Sequence, residues 1–398
     1  MPMKFNDYLK MLPALGVLLI LSITASAQGE RSMWSDASKG SFTEKCYMES
    51  LPRNYRLLDL DLSAIKTELN KAIYDTDPNA YANGPIISLP LPEGGFGRFR
   101  VARSEVLPDD TKPSYSNLIR TFTAIGIDDK YAVAKFDYTI FGFHALVMTP
   151  SGWFVIDPYS LTNSSHYISF YRRDRTTISD FTCETESGDV QRLNPYEPST
   201  PSVNRTSGAN LKTYRLALSC TGEYAAYFGG TQAGALSAMV TSVNRVTGVY
   251  ELELSVRLVL IANTNLLIYT DAATDPFTNT NGSTMLGQNQ TTVTTVIGSA
   301  NYDIGHVFST GGGGVAGLGV VCNSSNKARG VTGSSAPVGD NFDIDYVAHE
   351  MGHQFSGNHS FNGALGSCAG NNRNGTTAYE PGSGTTIMAY AGICGTDN

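Results

Sequence analysis

One short segment, from His349 to His359, restricts what this chain can be more than any other part of the sequence. It contains three of the six histidines and reads HEMGHQFSGNH. On a helix, residues four apart project from the same side, so the imidazoles of His349 and His353 can bind one metal ion. Gly357 allows the chain to leave the helix and reverse, so that His359 can approach the same ion. The segment predicts a helix over 345–355 that carries a metal site.

The ligand types indicate a catalytic site. Three neutral imidazole nitrogens with an open fourth position are typical of catalytic zinc, whereas a structural zinc site is closed by a fourth side chain. Glu350 lies beside the first ligand, and it can take a proton from water that zinc has made more acidic while zinc polarises a carbonyl group. This is the chemistry of peptide-bond hydrolysis. Two alternatives are histidines that are close by chance and a non-catalytic zinc site, for which no fourth ligand is evident.

A second motif lies 29 residues beyond His359, where the sequence reads TIMAY around Met388. It resembles the methionine turn that supports the three imidazoles in the metzincin metalloproteases. A methionine close to a tyrosine is by itself more often part of core packing. Because it accompanies the histidine motif, we interpret Met388 as the residue of such a turn.

From about Leu211 to its end, the chain resembles the metzincin zinc endopeptidases, and most closely the secreted bacterial proteins described as reprolysin-like. Segments 305–308 and 317–321 add weaker support, since they look like the strands that precede the zinc helix in these enzymes. The resemblance implies that Met388 underlies one catalytic Zn²⁺ and that Glu350 is the general base. Tyr390 corresponds to a tyrosine that approaches the zinc or the transition state in some metzincins. The implied metal ligands are His349, His353 and His359.

Two positions depart from the family pattern. The usual motif has glycine seven residues after the first histidine, where this chain has Ser356 and places Gly357 one position later. Reprolysins usually have aspartate after the third histidine, and here the residue is Ser360. The pattern therefore supports the metzincin group more strongly than any one subfamily of it.

The remaining sequence predicts an α/β (α+β) fold. Strand and helix patterns alternate after residue 211, which implies a mixed sheet with helices packed on it; the strands are predicted at 214–219, 252–262, 266–270, 302–309 and 316–321, and the helices at 231–246, 290–297 and 345–355. By the resemblance, this is a metzincin-type domain with a mixed, mostly parallel twisted sheet, an active-site helix and a Met-turn. Residues 28–183 have the pattern of antiparallel strands, with one helix over 62–73. Residues 315–321 form either a sheet edge, to which an extended substrate can add, or a flexible loop.

The N-terminus has the order of a secretory signal peptide. Lys4 and Lys10 precede an apolar run over 11–23 that is too short to span a bilayer, and Ala27 ends a small-residue cleavage site. The protein is therefore expected to be secreted and extracellular, with the periplasm as one route. We expect a signal peptide over 1–27, a β-rich propeptide over 28–183, an exposed linker over 184–210 and the catalytic domain over 211–398. Only eight residues follow Tyr390, so we expect that domain to be truncated at its C-terminus.

In an oxidising compartment, the six cysteines are disulfide candidates. The resemblance implies that the propeptide inhibits the enzyme, and Cys183 is the candidate thiol for the open position on zinc. The alternative, which we favour on the sequence, is a Cys46–Cys183 disulfide. The four cysteines of the catalytic part allow three pairings, and two of them bracket the Met-turn: Cys220, Cys322, Cys368 and Cys394.

The charge of the chain limits its partners. It has 28 basic and 36 acidic residues, a formal net charge of −8 and a pI near 5.3, whereas nucleic acids and anionic membrane surfaces require a basic footprint. We therefore expect a secreted zinc-dependent metalloendopeptidase precursor, which acts on a protein or peptide substrate and is inhibited by its own propeptide. No nucleic-acid partner is expected, and no membrane partner after signal cleavage. The rival interpretation is a secreted adhesion or binding module with a non-catalytic zinc site.

Overall fold

The structure of the protein is a computed structural model, and it describes residues 33–48, 50–109, 111, 115, 117–176, 183–186 and 210–398. The predicted signal peptide and most of the predicted linker lie outside these residues. Within the described ranges, no helix is both long enough and apolar enough to cross a membrane.

The N-terminal part is built on one sheet of nine strands, in which every neighbouring pair is antiparallel. The strands are β1 (Trp34–Asp36), β2 (Arg56–Leu60), β3 (Ile86–Pro90), β4 (Phe96–Ser104), β5 (Arg120–Gly126), β6 (Val133–Thr139), β7 (Gly142–Met148), β8 (Phe154–Ser160) and β9 (Asn163–Tyr171). Their spatial order is β1-β2-β9-β8-β7-β6-β5-β4-β3. Helix α1 (Leu62–Leu69) begins where Asp61 accepts a hydrogen bond from the Ala64 amide, and it is shorter than predicted. A short helix, α2 (Ala80–Asn83), precedes β3.

The C-terminal part has a sheet of six strands in the order β10-β14-β15-β13-β11-β12. The strands are β10 (Cys183–Glu186), β11 (Lys212–Cys220), β12 (Val256–Leu260), β13 (Ile304–Ser309), β14 (Gly314–Gly317) and β15 (Gly330–Gly333). All neighbouring pairs are parallel except β14 with β15, so the sheet is mixed and mostly parallel, as predicted. Its helices are α3 (Gly222–Tyr227), α4 (Gln232–Leu254), α5 (Gly282–Val296) and α6 (Ala348–Gln354), and a π-helix (Asn341–Val347) leads directly into α6.

Several element boundaries differ from the sequence prediction. Helix α4 extends to Leu254, so β12 begins only at Val256, and the strand predicted over 266–270 is replaced by a 3₁₀ helix (Thr264–Leu267). The strand predicted over 316–321 is β14, which ends earlier; Gly319 has a φ of +68°, which extended backbone does not allow. Residues 184–186, predicted to begin an exposed linker, belong to β10 and pair with β14.

The long helix α4 lies between the two sheets. Every residue from 234 to 250 is buried, and one apolar core contains Met148 of the N-terminal sheet, Val243 of α4 and Leu216 of β11. A helix that contacts protein on both sides is buried in this way. Its side toward the N-terminal sheet carries a row of mostly polar residues, here called the α4 stripe: Thr241, Asn244, Arg245, Gly248 and Glu251.

Ion pairs also connect the N-terminal part to the C-terminal part. Three of them lie at or near the α4 stripe: Lys135 with Glu251 (2.6 Å), Arg257 with Asp75 (2.7 Å) and Arg245 with Asp157. Arg245 is fully buried and also contacts Asp343 at 3.0 Å. Removing one partner from such a buried pair is costly, because the other charge is left in the protein interior. The two parts are therefore joined by both apolar packing and buried charge.

Candidate metal centre

The end of α6 differs from the sequence prediction at one residue. The predicted helix over 345–355 is the last part of the π-helix together with α6, and Gly357 was expected to release the chain. Instead, Ser356 takes the left-handed conformation with a φ of +76°, and the Gly357 amide donates to the Gly352 carbonyl at 2.8 Å. Ser356, which occupies the position of the usual motif glycine, therefore adopts a backbone conformation that is more common for glycine. The chain still reverses, so that His359 lies next to His349 and His353 of α6.

The three predicted metal ligands converge. The Nε2 atom of His353 lies 3.1 Å from that of His349 and 3.2 Å from that of His359, and the remaining pair is 3.2 Å apart. All three side chains are buried. Zn–N bonds of about 2.0–2.1 Å at tetrahedral angles would place ligand nitrogens about 3.3–3.4 Å apart. The observed triangle is thus close to the size that a zinc ion requires.

Backbone carbonyl groups determine the protonation of the rings. Each Nδ1 atom lies 2.6 Å from a carbonyl oxygen, which can only accept a hydrogen bond, so each Nδ1 carries the proton and each Nε2 is a bare acceptor. The pairs are His349 with Ile387, His353 with Gly357, and His359 with Asn372. Three acceptor lone pairs that face one another repel unless a cation lies among them. The donor set therefore fits a metal ion.

The rings are also uncharged near neutral pH. Burial lowers the pKa of His349 to about 3 and that of His359 to about 4, and it lowers the pKa of His353 well below its usual range. Metal binding requires the neutral imidazole. These three side chains are therefore ready to bind a metal without losing a proton to solvent.

Glu350 lies within the same buried region. Its side chain has no exposed surface, and neither carboxyl oxygen has a hydrogen-bond partner of normal geometry among the described residues. Burial raises the pKa of Glu350 to about 8, an effect that the Cys183 thiol partly offsets. A buried carboxyl group of this kind requires a functional explanation. Proton transfer next to a metal provides one.

Met388 and Tyr390 lie against the histidines. A β-carbon at Gly352 would come within 2.5 Å of the Met388 sulfur, so Met388 packs directly under α6 at a position where only glycine fits. The Tyr390 ring lies 4.8 Å from that of His359, and its hydroxyl donates to the Cys183 carbonyl at 3.2 Å. The structure thus brings together every residue that the sequence predicted for the site.

Sequence reasoning missed one carboxylate next to the site, that of Glu380. It accepts hydrogen bonds from Ser360 Oγ (2.5 Å), from Thr386 Oγ1 and from the amides of Thr385 (2.7 Å) and Thr386 (3.1 Å). These bonds outweigh partial burial and lower the pKa of Glu380 to about 2. Glu380 therefore ties the residue after the third histidine to the start of the Met388 turn. No local sequence signal marks it, since its partners are 5, 6 and 20 residues away.

The fourth group at the centre is Cys183. Its sulfur lies 3.5 Å from His353 Nε2 and 3.6 Å from His359 Nε2, and the ligand atoms of all four residues lie within 4.8 Å of one another. The Cys46–Cys183 disulfide that we favoured on the sequence is absent. Strand β10 places Cys183 here by pairing it with Gly314 on β14. The thiol is in the position of a fourth metal ligand.

One of the three open cysteine pairings is formed in the C-terminal part. Cys368 and Cys394 are joined by a disulfide, and they bracket the Met388 turn. Cys220 is buried and Cys322 is exposed, and neither forms a disulfide. The covalent link therefore closes the segment that follows the third histidine.

A helical His-Glu-x-x-His pair completed by a third histidine defines the class of zinc-dependent peptidases to which the site belongs. The family described as "Metallo-peptidase family M12B Reprolysin-like" matches residues 210–398. Residues 210–398 therefore belong to the reprolysin-like metzincins, and the protein is a zinc metalloendopeptidase. No curated protein is detectably similar in sequence to this chain. Among solved structures, metalloproteinase-II from Bacteroides fragilis is 11% identical with a TM-score of 0.39, and the alignment covers 75% of this chain and 85% of that one.

Proposed function

We propose that the chain is the precursor of a secreted endopeptidase, in which residues 28–183 act as an inhibitory propeptide. His349, His353 and His359 would bind one zinc ion, and Glu350 would be the general base. The observation that carries this proposal is the convergence of three bare Nε2 atoms and one thiol on a single point.

Each side chain at the centre has a defined task. When bound, zinc acts as a Lewis acid that activates water and polarises the substrate carbonyl. The Nδ1 hydrogen bonds fix the three imidazoles, so no side chain has to move when substrate arrives. Glu350 takes the proton of the attacking water and passes it to the departing amine. Tyr390 bonds to β10 in the precursor, and it becomes available to substrate when β10 leaves.

Inhibition is explained by the position of β10. Its four residues pair with β14, which is the edge of the catalytic sheet once β10 is removed. An extended substrate would add to the same edge through its backbone. The Cys183 thiol would complete a tetrahedral ligand set on the metal and exclude water from it. The propeptide thus competes for both the peptide-binding edge and the metal.

The α4 stripe supports later removal of the N-terminal part. Four of its five residues are polar, although all except the partly exposed Glu251 are buried in the precursor. Permanent interfaces resemble a protein core, whereas interfaces that open are more polar. The composition of this surface suits a helix that is exposed to water after maturation.

Hydrolysis of casein tests the proposed activity. The full chain would be loaded with zinc, cut within 184–210 and separated from its N-terminal part. A chelator should abolish hydrolysis, and Glu350→Gln should retain zinc but lower the rate by about 100-fold or more, because general-base catalysis is lost. The matched control is Glu253→Gln, at an exposed position on α4. A binding module would show no chelator-sensitive hydrolysis in any of these proteins.

The uncut precursor tests the proposed inhibition. Cys183→Ser should hydrolyse casein without cleavage of the linker, whereas Cys46→Ser, at a cysteine distant from the histidines, should stay latent. Equal latency of the two variants would contradict the role of Cys183. Export is tested separately, by N-terminal sequencing of the secreted precursor, which should begin at Gln28.

A further inference from the structure

A cavity opens directly beside the metal centre. Its volume is about 190 Å³, more than ten times the roughly 10–15 Å³ that one water molecule needs on the same measure. His349 and Tyr390 line it at the metal centre, Tyr346 lines it from the π-helix, and Ile387 and Ile393 line it from the chain around the Met388 turn. A peptide bound across the metal would place a neighbouring side chain in this cavity. The cavity therefore bears on substrate selection.

The cavity also has an acidic end, where Asp345 meets the two arginines described below. Asp345 lies four residues before His349, about one helical turn away, and lines the cavity. Asp340, at the start of the π-helix, is 4% exposed. Both carboxylates belong to the C-terminal part, so they remain when the N-terminal part is removed.

Two arginines of the N-terminal part occupy this acidic end. Arg172 Nε lies 2.5 Å from Asp340 and its Nη2 atom 2.6 Å from Asp345; Arg175 lies 3.1 Å from Asp340 and 2.7 Å from Asp345. Both arginines also line the cavity. Arg172 donates a hydrogen bond to each carboxylate, whereas Arg175 donates one to Asp345 and forms only an ion pair with Asp340. The two carboxylates thus hold two guanidinium groups in the precursor.

Maturation removes both of these cations. Arg245 remains and its charge acts on Asp340, but it already bonds to Asp343. Asp345, which lines the cavity and has a side chain that is 40% exposed in the precursor, and the neighbouring Asp340 would then lack both arginines. A partly exposed carboxylate still gains from a close cation, although less than a buried one does. The group that can reach them through the cavity is a side chain of the bound substrate.

We propose that the mature enzyme selects substrates with an arginine or lysine next to the scissile bond, whose side chain enters the cavity and pairs with Asp345. This inference rests on the proposed function and names its substrate class. In the precursor, Arg172 and Arg175 occupy the same place, while Cys183 lies over the histidines. The N-terminal part then blocks the centre as a substrate mimic, at the metal and at the specificity cavity together.

The alternative is that the arginines only anchor the N-terminal part and that substrates do not use the acidic end. Binding experiments distinguish the two, because they do not require hydrolysis. The protein is the full chain with Glu350→Gln, loaded with zinc, cut within 187–209 and separated from its N-terminal part. Because the two parts share one apolar core, circular dichroism and zinc content first establish that the separated protein is folded. The probes are pairs of fluorescent peptides that carry either arginine or its neutral analogue citrulline at each of the three positions on either side of the scissile bond.

At one of these positions, the arginine peptide should bind about tenfold more tightly or better, as expected for a close charge pair. Adding Asp345→Asn should bring the ratio close to one. The matched control is Asp303→Asn, which removes an aspartate that is also paired with an arginine, Arg215, but does not line the cavity. This control should keep the preference. The preference should also weaken as salt is raised.

Equal affinity for arginine and citrulline at all six positions would overturn the inference, and so would a preference that survives Asp345→Asn. Failure of the proposed function gives a different result. In that case the chain with Glu350 intact hydrolyses none of the peptides, while the binding ratios still report on the cavity.

Discussion

Replacing Ser356 with glycine should stabilise the protein, although it removes atoms at the turn that presents His359. With a φ of +76°, Ser356 is in the left-handed region, which costs a residue with a β-carbon about 1–2 kcal/mol. Glycine avoids this cost but gives the unfolded chain more conformational freedom, which offsets about 0.5–1 kcal/mol. The net gain in the free energy of unfolding should be about 0.5–1 kcal/mol.

Urea and thermal unfolding of the precursor, followed by circular dichroism, would measure this gain. Because both parts share one apolar core, we expect a single transition, and the midpoint temperature should rise by about 1 °C. The urea midpoint should rise without a change in slope. Ser255→Gly is a parallel test, since Ser255 ends α4 with a φ of +55°.

An opposite result is expected inside a helix. Ser237 lies within α4 and its hydroxyl has no hydrogen-bond partner among the described residues, so Ser237→Gly loses no bond but should destabilise by about 0.5–1 kcal/mol. If Ser356→Gly is neutral or destabilising while Ser255→Gly stabilises, the strain argument fails at the active-site turn. The serine would then contribute an interaction that compensates for its backbone conformation.

Three further predictions concern the same region. The pKa of Glu380 is lowered from its ordinary value of 4.5 to about 2, so the ionised carboxylate stabilises the folded protein at pH values above about 4.5. This stabilisation is lost as the pH falls from about 4.5 to about 2. In thermal melts across that range, the difference in stability between wild type and Glu380→Gln should shrink. Cys394→Ala opens a disulfide with a sequence separation of 26 and should cost about 3 kcal/mol in urea unfolding, whereas Cys322→Ala, at an exposed thiol, should cost little. Cleavage within 187–209 leaves Cys183 on the N-terminal part, so the cut protein should stay latent until size-exclusion chromatography shows that the parts have separated. Full activity of the unseparated parts would contradict this last prediction.

The histidine centre could be predicted because its geometry is local. His349 and His353 share a helix face at a spacing of four, and that relation holds wherever the helix lies in the fold. The exact turn was harder to predict: we expected Gly357 to reverse the chain, and Ser356 does so. Which of two adjacent residues takes the left-handed conformation depends on how the helix end bonds, here through the Gly357 amide to Gly352.

Contacts between distant segments could not be predicted. Cys183 reaches the histidines only because β10 pairs with β14, which is more than 100 residues away in the sequence. On the sequence alone, a disulfide with Cys46 was the more reasonable expectation for an exported chain. Glu380 and the acidic pair formed by Asp340 and Asp345 likewise acquire their roles from partners that no periodicity reveals.

If the N-terminal part is removed as proposed, the α4 stripe becomes a surface that the intact chain does not expose. In the intact chain, Thr241, Arg245 and Glu251 contact the N-terminal sheet, and only Glu251 is partly exposed. An antibody that recognises this surface in its helical form would bind the separated enzyme and ignore the precursor. Binding of the antibody would measure the amount of separated enzyme, even where an inhibitor or the loss of the metal has abolished its activity.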